Sequence, residues 1–330
     1  MNQPAYPAFD PSAARFLTFG QILDRIYRLM RAHFGLFLSV AAVQASALLV
    51  IFAGAGIGAF NLIRQTQMTK LPPHGFPIYF VVAFAVAIYL LLPAIAALYV
   101  PAASYAATQA DLGNAVPFSD AYAVSLRRFG RHLWLMVLGA LYVIVPVVVI
   151  AALIGLIVLL AIHANASGGW PPAIVALIPL FVLLYLGFIA YCILIMLRFA
   201  LAYPVCVSEG LTAWNSLQRS AQLTRGAKGR IFLVLLVIYA ATYVANLVLT
   251  CGLMTLGVLG AFAASLAHVA AGSPAFFILI GLAALGYLIV TIGSSMFSYA
   301  AFTTALAVIY HDQRRRKDGI APESGMIPVS

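Results

Sequence analysis

Between Arg230 and Asp312 the chain runs for 81 residues without a Lys, Arg, Asp or Glu, and between Arg131 and Arg198 it runs for 66. A helix crosses the hydrocarbon core of a bilayer with about 20 apolar residues, so each run holds two crossings and a turn. Helix-breaking residues mark the turns: "HANASGGWPP" at 163–172 and "HVAAGSP" at 268–274. Two shorter uncharged stretches, 32 residues between Arg31 and Arg64 and 40 between Lys70 and Asp111, hold one crossing each. With 64% hydrophobic and 8% charged residues, a soluble fold of this length cannot hide its own apolar surface. The expectation is an all-α integral membrane protein with six transmembrane helices. Gly252, Gly257 and Gly260 leave open a break in the fifth helix or an extra re-entrant piece.

Lys and Arg fall almost wholly on one side of these crossings. Sixteen of the 18 basic residues lie in the N-terminal segment, the loops after the second and fourth spans, and the tail, leaving Arg64 and Lys70 on the other side. Basic residues near span ends are retained in the cytoplasm, which predicts a cytoplasmic (inner) membrane protein with both termini cytoplasmic. The opening "MNQPAYPAFDPSAARF" has no basic region leading directly into an apolar core, so the first span is expected to serve as its own insertion signal. Cys192, Cys206 and Cys251 show no pairing scheme and read as packing residues.

Self-similarity at a fixed period refines the architecture. Leu29 and Arg31, Leu126 and Arg128, and Leu223 and Arg225 form three Leu-x-Arg pairs at a spacing of 97. "SYAA" occurs at 104–107 and again at 298–301, two periods apart, as His74 and His268 are. Pro77, Pro172 and Pro274 each precede the second span of a hairpin. The pattern predicts three parallel repeats (about 18–110, 111–208 and 209–312), each an amphipathic interfacial helix plus a transmembrane hairpin, arranged about a pseudo-threefold axis along the membrane normal. They make up one membrane domain over 15–317, with 1–14 and 318–330 expected to be disordered.

In the first amphipathic segment Phe19, Ile22, Leu23, Ile26, Met30 and Phe34 recur at helical spacing, opposite Gln21, Asp24, Arg25, Arg28 and Arg31. The second carries Phe118, Tyr122, Leu126, Phe129 and Leu133 on one face, with Ser119 or Asp120 able to cap its start. The third, less regular, offers Leu211, Trp214 and Leu217. Arginines on the wet face of such helices attract anionic lipid head groups. Arg31, Arg128, Arg225, Lys228 and Arg230 are therefore the candidate lipid contacts, the last three within "RGAKGR" (225–230), which also reads as a solvated topogenic turn.

One acid follows each even-numbered span: Asp111, Glu209 and Asp312 form a candidate acidic ring, or else favour the next helix start or pair with nearby arginines. Arg198 reads as a snorkelling residue at the end of the fourth span. Asn246, Ser294 and Ser295 are candidates for a polar path, against the simpler alternative of helix packing. His74, His163 and His268, one per hairpin, read as loop histidines, with His163 out of register for a metal site. All eight Asp and Glu residues fall outside the expected spans, which disfavours a proton-coupled carrier. No cofactor is expected.

The stretches "LTFGQILDRIYRLMRAHFG", "RFALAYPVCVSEGLTAWNSLQRSAQLTRGAKGR" and "ALAVIYHDQRRRKDG" resemble the multi-pass membrane domain family of glycerophosphoryl diester phosphodiesterases. The markers are the basic entry helix, Glu209-Gly210 before Ser220 and Leu223, and the closing Tyr310, Asp312, Arg314 and Arg316. The resemblance implies a membrane region without phosphodiesterase chemistry, since the catalytic barrel of the joined proteins has no counterpart in this sequence. The expected function is a non-enzymatic, lipid-interacting or partner-anchoring scaffold; the alternative is a small-solute or lipid transporter or channel along the pseudo-axis. An intramembrane lipid enzyme lacks a convincingly spaced nucleophile and base. Expected partners are anionic membrane lipids and a membrane or cytoplasmic protein, not nucleic acid.

Overall fold

The computed structural model of the protein describes residues 17–69, 76–114, 116–164, 172–266 and 274–318. Ten helices follow one another, with no strand among the described residues: α1 (Phe19–Ala32), α2 (Phe34–Thr69), α3 (Phe76–Asp111), α4 (Phe118–Arg127), α5 (Phe129–Ala164), α6 (Pro172–Phe199), α7 (Ala202–Ser208), α8 (Ala213–Thr224), α9 (Lys228–Leu266) and α10 (Pro274–Asp318). Six of them, α2, α3, α5, α6, α9 and α10, are long and apolar enough to cross a membrane, as the uncharged runs require. Three prolines sit where their missing amide proton does no harm, Pro172 and Pro274 opening α6 and α10 and Pro77 second in α3, whereas Pro93 and Pro101 of α3, Pro146 of α5 and Pro179 of α6 stand inside their helices.

α9 is continuous through Gly252, Gly257 and Gly260, so the break those glycines left open is absent. A broken helix would expose amide groups where hydrocarbon offers no hydrogen-bond partner. One element had no sequence signal: after α6, at Ala200 and Leu201, the helix gives way to the short α7, with Pro204 in its first turn. The segments 1–14 and 319–330 lie outside the described residues, and Asp318, expected to begin the tail, is instead the last residue of α10.

The short helices gather at one end of the bundle, and the buried core gathers there with them. Ile22 and Ile26 of α1 pack into a cluster with Leu197, Leu201, Val205, Leu223, Ile231, Val308 and Ile309. Val40, Tyr99, Ala103 and Ala121 form a second cluster, and Leu135, Ala202, Cys206 and Leu217 a third. Along the rest of the spans large apolar side chains point outward; Val50, Leu90, Leu183 and Val258 are each about two-thirds exposed, as suits a surface solvated by lipid tails.

α1 packs through its expected apolar stripe, whereas α4 and α8 pack differently from theirs. α1 buries its apolar face against protein, and a capping box closes its start: Thr18 N–H donates to Gln21 Oε1 at 2.8 Å, and Gln21 N–H to Thr18 Oγ1 at 3.4 Å. α4 buries Ala121 and Ser125 and leaves Phe118 and Leu126 exposed. Its N-cap is Pro117, and Ser119 bonds to Asp120 instead of capping. α8 buries Ser216, Leu217, Ser220, Leu223 and Thr224 and leaves Trp214 half exposed. Small and hydroxyl residues let helix backbones approach closely, which is why Ala121, Ser125, Ser216 and Ser220 are fully buried, with Tyr122 packed half buried at the edge of the contact.

Candidate anion-binding site

Arginine and carboxylate pairs stitch the short helices to the ends of the long ones. Arg25 of α1 donates to Asp111 at the end of α3 at 2.5 Å, and the Asp111 carboxylate is almost fully buried. Arg219 of α8 reaches Glu209 at 3.4 Å and also bonds Asp318. Desolvation pulls the Arg219 guanidinium down, but Glu209 and Asp318 together hold it above its ordinary value. Asp312 is paired with Arg316 at 2.9 Å and Arg230 at 3.4 Å, and accepts from the Leu17 amide at 3.2 Å. Arg230 and Arg316 both donate to the Leu17 carbonyl.

The three candidate ring acids are thus each neutralised by arginine, in line with their reading as pairing partners. The residues that carry the family resemblance sit in the same stitching. Tyr310, fully buried, donates to Glu209 at 3.0 Å. Gly210 adopts φ +66° while its carbonyl accepts from Arg131 at 2.7 Å, and a Cβ there would lie 3.3 Å from Arg128 Nη1.

A different chemistry appears between α6, α8 and α9. Ser220 and Thr224 donate to the Arg198 carbonyl at 3.0 and 3.3 Å, and the Leu201 amide donates to Ser220 at 3.2 Å. These bonds fasten the end of α6 to the middle and end of α8. α8 stops at Arg225, and Gly226, with φ +83°, turns the chain into α9. A left-handed turn of that kind suits glycine, which has no Cβ to clash. The result is an open pocket of about 420 Å³ lined by Arg198, Gln218, Ala221, Gln222, Arg225 and Lys228. Three cations line it and, among the described residues, no carboxylate does; the charged groups of Arg198, Arg225 and Lys228 make no hydrogen bond or ion pair among those residues. The Arg198 guanidinium lies 5.7 Å from the Phe199 ring centroid.

Of the five candidate lipid contacts, then, Arg225 and Lys228 share this pocket, whereas Arg230 is held by Asp312 and Leu17. Arg31 stands exposed in the last turn of α1, and Arg128 is half buried beside Gly210. Arg198, read from the sequence as a snorkelling residue, is exposed at the end of α6 and faces the other two cations. Gln218 and Gln222 gave no signal beyond their i, i+4 spacing on α8.

The polar-path candidates are bonded within their own helices and, for Asn246, across from α9 to α10. Asn246 donates to Thr242 O at 3.1 Å and Ser298 Oγ at 3.3 Å, while Ser294 and Ser295 donate to Thr291 O at 3.1 and 2.7 Å. Ser295 also borders a crevice of about 100 Å³ between α2 and α10, with Gln44, Thr291 and Tyr299. Among the described residues no group of three or more His, Cys, Asp or Glu is placed to hold a metal. His74, His268 and the His163 side chain lie outside them. Cys206 is buried, Cys192 half buried and Cys251 exposed, and all three are free thiols.

No protein-family model, curated protein or solved structure matches the chain. What stands is an all-helical, multi-spanning membrane protein with a basic pocket at one end.

Proposed function

We propose that the chain is a non-enzymatic protein of the cytoplasmic membrane that binds anionic lipid head groups at its basic end. The observation that carries this is the pocket of Arg198, Arg225 and Lys228, whose charges no carboxylate of the lining offsets. It lies where α6 ends and α9 begins, beside the polar α8, a place suited to the boundary between hydrocarbon and water. In this reading the basic end faces the cytoplasm, by the retention of Lys and Arg on that side.

The reading includes three related units. The order short helix, long helix, long helix recurs along the chain, with α7 as an addition. Arg31, Arg128 and Arg225, spaced by 97, fall at or within one turn of the ends of α1, α4 and α8. It also includes kinship with the membrane domain of the glycerophosphoryl diester phosphodiesterases, on the strength of Gly210, Ser220, Tyr310 and Asp312. A polar path along the pseudo-axis is not adopted, because Asn246 and Ser294 are bonded within α9 and α10.

The test is binding of lipid by the purified protein, read by native mass spectrometry and by exchange of a fluorescent lipid in nanodiscs. A basic residue near an anionic surface contributes about 1 kcal/mol, so R198Q/R225Q/K228Q should lower affinity for phosphatidylglycerol by about 100-fold. Unchanged retention of phosphatidylglycerol by a folded triple variant would sink the proposal. A stoichiometric protein partner with no lipid preference would make the chain an anchor instead.

A further inference from the structure

We infer that the pocket selects a lipid head group bearing two or more negative charges on phosphate, a phosphomonoester or a diphosphate, over a singly charged phosphodiester. This rests on the lipid-binding function proposed above and adds the class of head group. Three cations line one pocket with no carboxylate among its described lining, so one phosphodiester charge leaves two of them unmatched, whereas a phosphomonoester dianion or a diphosphate matches two or three.

The neutral part of the lining points the same way. Gln218 and Gln222 stand one turn apart on α8 with Ala221 between them, and Arg225 follows on the same face. Each glutamine offers an amide donor to a phosphate oxygen and a carbonyl acceptor to a P–OH or a glycerol hydroxyl. The volume of about 420 Å³ lies within the range of ligand clefts, about 300–1,000 Å³. The glutamine amides and the arginine forks can then engage oxygens on more than one side of the phosphate, which a diester with two of its oxygens esterified offers less well.

Among the described residues the lining contributes no histidine and no carboxylate. α6 brings Arg198, the α8 end brings Arg225 and α9 brings Lys228; the glutamines are neutral. The ligand itself brings a pH dependence: a phosphomonoester passes from one charge to two around pH 6, and a phosphodiester does not.

The experiment uses the full chain in nanodiscs with phosphatidate or phosphatidylglycerol of the same acyl chains, titrated at pH 5.5 and pH 8. Phosphatidate should bind at least tenfold more tightly at pH 8, and the preference should shrink at pH 5.5. Q218L/Q222L should weaken phosphatidate binding more than phosphatidylglycerol binding, so that the preference falls; an unchanged ratio in the folded variant overturns the part assigned to the glutamines. Equal affinity of the wild-type protein for the two lipids at pH 8 overturns the head-group inference but leaves anionic lipid binding standing. Failure of R198Q/R225Q/K228Q to weaken either lipid overturns the underlying function instead. Inorganic phosphate or pyrophosphate competing as well as the whole lipid overturns the lipid source.

Discussion

Arg25 and Asp111 are 86 positions apart in sequence and 2.5 Å apart in space, and their contact fixes the first helix of the chain to the end of α3. Asp111 also receives its partner through two bonds, because Arg25 Nη2 donates to the Asp111 backbone carbonyl at 3.0 Å. Removing the carboxylate charge leaves a partly buried guanidinium without its anion. Because the Arg25 side chain keeps 29% of its surface in contact with solvent, Asp111→Asn should cost about 2 kcal/mol, below the range for a fully buried pair. Reversible unfolding in mixed micelles measures it; Arg25→Lys, which keeps the charge and loses the fork, should fall between wild type and Asp111→Asn.

Gly210 combines a left-handed backbone with a neighbouring guanidinium 3.3 Å from where a Cβ would sit. Gly210→Ala should lose about 1–3 kcal/mol from the strained backbone alone. Gly210→Asn should lose less, since asparagine tolerates that conformation better. Melting temperatures of the two variants in one detergent decide the order; equal losses would mean that crowding against Arg128, not backbone conformation, governs the site.

Ser220 is at once a donor to Arg198 O and the acceptor of the Leu201 amide. Ser220→Ala leaves that amide without its buried acceptor, at about 1–3 kcal/mol. It also loosens the end of α6 relative to α8, so phosphatidylglycerol affinity should drop several-fold although no lining residue is changed. Retained affinity in a destabilised Ser220→Ala protein would show that the pocket does not depend on this fastening.

Tyr122 donates to Val40 O at 2.8 Å and ties α4 to α2. Burial raises its pKa to about 12 from an ordinary value of 10.0. The folded state therefore holds this proton more tightly than the unfolded chain does. Its contribution is fully present below pH 10, and stability falls as pH rises from 10 towards 12. Tyr122→Phe should remove that part of the alkaline loss, visible as a shallower decline of melting temperature between pH 10 and 11.5.

Lengths of uncharged chain were enough to number the spans, since only the bilayer thickness enters that argument. Proline placement was legible for the same local reason: Pro172 and Pro274 stand at helix starts, where proline is at ease. The ends of the helices were harder. The packing faces of α4 and α8 are made by Ala121, Ser125, Ser216 and Ser220, which carry no weight in a search for hydrophobic periodicity. Arg230 and Arg225 look alike in sequence, five residues apart, and only the fold separates them: Asp312 reaches one and no acid lines the pocket of the other. Arg198 could not be joined to Arg225 and Lys228 from sequence, because the kink before α7 and the hydroxyl bonds of Ser220 and Thr224 bring them together.

The grip on Leu17 sets an order of events during synthesis. Its amide and carbonyl are held by Asp312, Arg230 and Arg316, and Arg316, the last of them, follows Leu17 by 299 positions. At roughly 5–20 residues per second, a ribosome takes about 15–60 s to supply that last partner. For that interval α1 has its capping box but neither its final anchor nor the apolar surface of α9 and α10 on which Ile22 and Ile26 come to rest. A nascent chain halted before α10 would carry an amphipathic helix held through Arg25 and Asp111 but with part of its apolar face uncovered, a handle by which quality-control proteases could tell an unfinished molecule from a finished one.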